Sequence, residues 1–255
     1  MRDLKFFIFF IFVFSSSLLI CGISMSAPVG NPAGPVLLDG NYPTTFSLEA
    51  ETVFERNLKA SSSGTTRFKG TFYTGKVSFY LGSRFDLYGL VGSYDGRVKE
   101  FPNSDHEIIT KADIVYGVGA SYVLYEREFF GGLLRLGADA KYRQCEPDID
   151  TVKEYREKVV TTNNALSFKE WQASLGLAYQ YKRFIPYIGM KYSDIGIHTK
   201  FTQDTVTYSD NAIRSKDIWG LFYGIDVLVA DNVSFNMELR YIDETALNVG
   251  INARF

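Results

Sequence analysis

Cysteine, histidine and tryptophan are scarce in this 255-residue chain, which holds 2 of each, and proline occurs only 7 times. Two histidines, His106 and His198, leave little room for acid–base catalysis. Neither a Cys/His metal spacing nor a glycine-rich phosphate loop is present, so no metal and no cofactor is expected. No sign of charge prevails, with 27 Lys and Arg against 29 Asp and Glu. Setting aside the first 26 residues, with Arg2, Asp3 and Lys5, leaves a net charge of −3. That excludes a basic nucleic-acid binder. Past residue 26 no apolar run is long enough to cross a bilayer as a helix. What the chain does have is 17 Tyr and 21 Phe, a usage that favours strands.

Residues 1–26 read as an export signal. Arg2 and Lys5 precede an apolar and small-residue run from Phe6 to Ile20, and small residues at Ser24 and Ser26 set a cleavage point before Ala27. The run falls short of the about 20 residues of a membrane anchor, and Ile20 is a poor predecessor for lipoprotein processing at Cys21. After cleavage only Cys145 remains, so an internal disulfide is excluded and that thiol is either free or bridged to another chain. Residues 27–44 are then an N-terminal periplasmic segment and 45–255 the folded domain.

The folded domain alternates with period two. Val233, Phe235, Met237, Leu239 and Tyr241 are interleaved with Ser234, Asn236, Glu238 and Arg240, and Leu247, Val249, Ile251, Ala253 and Phe255 with Asn248, Gly250, Asn252 and Arg254. Strands of this kind begin near residues 45, 69, 85, 111, 129, 167, 185, 216, 233 and 246, with the alternation weakest from Asp86 to Tyr94. Short turns fall at Gly82-Ser83-Arg84, Glu126-Arg127-Glu128, Lys182-Arg183 and Ala230-Asp231-Asn232. Long polar loops fall near 57–67, 97–110, 144–166 and 197–215, and Asp243-Glu244-Thr245 is a short connection at the long-loop end. The expected fold is all-β: a transmembrane antiparallel up-and-down barrel of about ten strands, roughly 8 to 12 fitting the pattern, with both termini periplasmic.

A soluble carrier barrel would put the apolar face inside. Charges on the polar face of nearly every strand, aromatics near strand ends (Tyr80, Tyr125, Phe129, Tyr181, Phe184) and a terminal Phe255 in phase with the apolar face choose the outer-membrane version. The inward, pore-lining face then carries Glu49, Glu51, Asp139, Glu170, Asp226 and Glu238, with Glu55, against Lys76, Arg135, Lys141, Lys191, Arg240 and Arg254. Such a balance predicts internal ion pairs. Because about eight strands enclose a filled interior and wide channels appear at 16–18, a pore here should be narrow and weakly selective.

Phe168-Lys169-Glu170-Trp171-Gln172-Ala173-Ser174-Leu175, followed by Phe184-Ile185-Pro186-Tyr187-Ile188-Gly189-Met190-Lys191, resembles the chlamydial major outer membrane protein family. The start Pro28-Val29-Gly30-Asn31-Pro32-Ala33 and the end, with Leu239-Arg240-Tyr241-Ile242-Asp243-Glu244 and Ala253-Arg254-Phe255, are similar to that family as well. The resemblance implies a porin-like, abundant outer-membrane barrel that admits small hydrophilic solutes and helps build the envelope. This chain is shorter than family members and lacks their cysteines, which leaves a disulfide-network role resting on Cys145 alone. Expected partners are outer-membrane lipid, small solutes and the barrel-assembly machinery, for which Phe255 is the signal; a homo-oligomer is left open.

Two rivals remain. A closed barrel could bind a partner through loops such as Gln144 to Leu166, and a rim protease or hydrolase could use Asp105 with His106 or Asp194 with His198. No paired acid and base stands out, so an enzyme is not expected. Glu146, Asp148 and Asp150 read as a solvated loop rather than a Ca²⁺ site, and Asn232-Val233-Ser234 as a turn.

Overall fold

A computed structural model describes residues 43–59, 65–81, 84–99, 106–155, 157–203 and 206–255. The export segment, nearly all of the 27–44 segment, Gly82-Ser83 and Asp105 lie outside the described residues. Strands take up most of the rest: β1 Thr44–Lys59, β2 Thr65–Leu81, β3 Phe85–Lys99, β4 Glu107–Thr110, β5 Asp113–Phe129, β6 Gly132–Cys145, β7 Ile149–Glu154, β8 Glu157–Val159, β9 Thr161–Gln180, β10 Phe184–Gln203, β11 Val206–Ser215, β12 Trp219–Ala230, β13 Val233–Tyr241 and β14 Glu244–Arg254.

Ten of them close a barrel in the order β1-β2-β3-β5-β6-β9-β10-β12-β13-β14 and back to β1, each neighbour antiparallel. At the closure Thr44 N donates to Phe255 O at 3.3 Å and Phe255 N to Thr44 O at 2.9 Å. Both ends of the barrel chain therefore sit at the short-turn rim.

The outside of the barrel is apolar. Leu48, Tyr73, Val91, Val118, Ile188, Leu221 and Ile251 are all exposed, as a lipid-facing belt requires and a soluble carrier would not tolerate. Toward the far rim an aromatic girdle runs through Tyr142, its ring tilted against Trp171 at 4.6 Å, and Tyr192 edge-on to Trp219 at 5.7 Å. Tyr223 and Tyr241 lie parallel at 5.7 Å.

Two expectations about connections are corrected. Glu126-Arg127-Glu128 is not a turn: the three continue β5, pairing with Arg135, Leu134 and Leu133. The turn is Phe130-Gly131, with φ of 46° and 75°. Two successive residues in this region match the twist of a tight hairpin, and glycine enters it without steric cost.

The long loops are largely strands. β4 pairs with β3 and β7, β8 with β7, and β11 lies along β10 before reaching β1 at Leu58↔Ser215 and Lys59↔Arg214. Together with the extended ends of β1, β2, β3, β9 and β10 they build a collar above the girdle, in which β11 stands where β12, β13 and β14 stand below. Beside β3 the collar continues through β4, β7 and β8 instead of β5 and β6. The collar is filled by Phe68, Phe72, Tyr94, Val98, Phe168 and Ile197, all at most 2% exposed. Its strands still alternate, but with the apolar side chains inward, and a reading that expects polar loops there misses them.

Candidate functional site

The lumen is filled in three tiers. Near the short-turn rim the side chains are small and polar, with aromatic rings laid over glycines. A Cβ on Gly119 would collide with the Tyr88 ring, one on Gly224 with Tyr187 and one on Gly189 with Phe222. The two tyrosine rings carry hydroxyls to charged partners: Tyr88 donates to Asp139 at 2.8 Å and Tyr187 to Glu238 at 3.2 Å. Asn236 donates to Asp226 at 2.5 Å and to Tyr187 at 2.8 Å. Lys76 pairs with Glu49 at 3.0 Å and Arg135 with Glu126 at 2.8 Å. Asp139 and Lys141 are buried on β6, and Arg254 at the end of β14.

At the level of the aromatic girdle lies a layer of ion pairs. Arg143 bridges Glu51 at 2.9 Å and Glu170 at 2.6 Å. Arg240 reaches Glu51 at 3.1 Å, Glu238 at 3.6 Å and Glu244 at 3.7 Å. Arg56 contacts Glu170 at 3.2 Å and Glu244 at 3.4 Å, and Lys191 pairs with Asp243 at 2.9 Å and with Glu244. Arg56, Lys191, Glu238, Arg240 and Glu244 are 0% exposed. A conduit wide enough for water would leave them accessible, so the path is shut at this layer. The third tier is the apolar collar, whose floor meets the ions where the Arg143 guanidinium stacks 3.8 Å from the Phe72 ring centre.

Every inward residue expected from the alternation faces the lumen except Glu55. A bulge between Val53 and Arg56 shifts the register of β1 against both neighbours. It turns Glu55 outward to Arg67, 3.6 Å away, and puts Arg56 in the interior. Arg56, Arg143, Asp243 and Glu244 were not foreseen. Arg143 is in phase with Asp139 and Lys141, so the period alone could have found it. Arg56 needed the bulge, and Asp243 and Glu244 have the composition of a solvated turn.

Cys145, expected to be either free or bridged to another chain, is a free thiol, 0% exposed, in the collar core. Phe255 points outward, as its phase requires. At the rim, His106 is buried edge-on to Phe201 at 5.7 Å and lies 3.8 Å from Glu154. Asp194 pairs with Arg214 at 3.6 Å. His198, four residues along the same strand and thus about 13 Å away, is out of its reach. His198 instead lines a 570 Å³ surface groove with Glu146, Asp148, Asn164 and Lys200. No group of His, Cys, Asp and Glu suited to a metal ion occurs among the described residues.

Residues 155–212 match the family model described as Chlamydia major outer membrane protein. The chain is similar to the major outer membrane porin, serovar L1, of Chlamydia trachomatis, 23% identical over 317 residues that span 92% of this chain and 79% of that protein. Against the serovar D porin of the same organism the identity is 22% over 317 residues, with the same two shares. Among solved structures, the translocator domain of the autotransporter NalP from Neisseria meningitidis is similar at a TM-score of 0.47 and 10% identity, covering 86% of this chain and 90% of that one. The chain is a closed, ten-stranded antiparallel β-barrel with an apolar exterior, and its sequence is similar to these outer membrane porins.

Proposed function

We propose that this relative of the major outer membrane porins is a passive channel for small hydrophilic solutes and a structural component of the envelope. Its termini face the periplasm and its collar faces outward. The observation that carries the reading is a charged interior inside an apolar exterior. Glu49, Glu51, Lys76, Arg135, Asp139, Lys141, Glu170, Lys191, Asp226, Glu238, Arg240 and Arg254 are the groups a permeating ion would meet. Conduction needs the girdle-level layer to open. The outward Phe255 at the short-turn rim is the recognition point for barrel assembly, and the chain does no chemistry of its own.

Single-channel recording of the refolded mature chain in a planar bilayer tests this. Discrete steps that scale with salt are expected, and Arg135→Gln and Glu238→Gln should shift ion preference in opposite directions. Unchanged selectivity in both would remove these residues from the path. A second reading, a permanently closed structural barrel, draws on the 0% exposure of the ion-pair layer. A silent bilayer with a folded, heat-modifiable barrel would favour it.

A further inference from the structure

The wall of the barrel is uneven. β12 begins at Trp219, β13 ends at Tyr241 and β14 begins at Glu244, all at girdle level, whereas β1, β9 and β10 run on into the collar. Above this low sector the chain crosses once, along 215–218. Lys216 N donates to Asn57 O on β1 at 3.2 Å, and Ser193 N on β10 donates to Ile218 O at 2.8 Å. Beneath the crossing sits the turn Ile242-Asp243. No backbone hydrogen bond joins crossing and turn among the described residues.

The seam is closed by side chains. Arg56 donates to Ser215 Oγ at 2.7 Å above and lies 3.4 Å from Glu244 and 4.0 Å from Asp243 below. Asp243 and Glu244 fold inward onto Lys191. Space for Asp243 exists only because residue 220 is glycine, where a Cβ would collide with its carboxylate. This inward fold strains the backbone: Ile242 has a φ of 85°, a region that a β-branched side chain avoids.

We infer that Asp243 and Glu244, hinged at Ile242, are the gate of the channel, an acidic latch that seals a side opening beneath residues 215–218. The inference rests on the porin reading and adds the route. A hydrophilic solute would have to shed water to cross the dry apolar collar, whereas the seam leads straight to the charged layer. When the latch swings out, Arg56 keeps Glu170 and Arg240 keeps Glu51 and Glu238, but Lys191 loses both its carboxylates and faces the entry, so anionic solutes are favoured there.

The test is open probability in planar bilayers for three refolded chains: wild type, Asp243→Asn/Glu244→Gln, and Ile242→Gly. Neutralising the latch leaves the buried Lys191 without a carboxylate partner and should raise open probability at least about tenfold. Glycine relaxes the latched turn and should lower it about fivefold. Opposite shifts identify the latch. If wild type conducts and neither variant departs from it, the latch is wrong and the porin reading stands. If all three folded barrels are silent, both fail. Should the double variant not fold, an Ile242→Gly chain with unaltered or raised open probability overturns the latch alone.

Discussion

Along β10 one strand lives in two solvents. Near its start the exposed side chains are Phe184, Ile188 and Met190, and the buried ones include Tyr187 and Lys191. Near its end the exposed ones are His198 and Lys200, and the buried ones are Ile195, Ile197 and Phe201. The backbone ladder to β9 runs on through the change with a single irregularity near Lys200. What differs is the medium outside. Lipid rewards an apolar exterior and leaves charge to the lumen, whereas water above the girdle restores the ordinary rule and turns the interior into a packed core. The ion-pair layer lies at the boundary between the two regimes.

Substitutions can break this comparison. The largest effect is expected in the collar: Phe168→Ala removes a fully buried ring that stacks with Phe68 at 5.5 Å and should cost about 3–5 kcal/mol. Denaturant unfolding followed by tryptophan fluorescence would read this loss, and a cost below about 1 kcal/mol would mean the collar has no core of its own. Next, Ile188→Arg places a charge on the belt and should cost about 2–4 kcal/mol in lipid vesicles. Gly131→Ala forces a Cβ into the left-handed turn and should cost about 1 kcal/mol, seen as a small shift of the same midpoint. The smallest effect is His198→Arg, outward like Ile188 but in the collar, with a change within about 0.5 kcal/mol. Equal penalties at 188 and 198 would refute the division into two media.

The membrane half was legible in the sequence because its code is simple: period two, apolar outward. That located all ten barrel strands and the inward faces of β6, β9, β10, β12 and β13. The collar was not legible as structure because the same period with reversed phase, as in Ile195, Ile197, Thr199 and Phe201, reads as a polar loop when its outward His198 and Lys200 are taken at face value. The site was half legible. Glu51, Glu170, Lys191, Glu238 and Arg240 follow from alternation, but a single bulged residue exchanges Glu55 for Arg56. A turn whose acids bury themselves is set by their partners across the lumen, which no local pattern records.

The β1–β14 ladder runs from Thr45↔Arg254 to Arg56↔Glu244, joining the two most distant stretches of the barrel sequence. Every other rung of the ten-strand ring links strands that follow one another along the chain, apart from short excursions into the collar. Ring closure is therefore an event in time as well as a contact. Until β14 reaches β1, both strands present unpaired amides and carbonyls across the full depth of the bilayer, each costing several kcal/mol in hydrocarbon. A sheet of nine strands left open in lipid would carry that cost along two edges, so the stability of the whole ring in the bilayer hangs on the contact between its first and last strands.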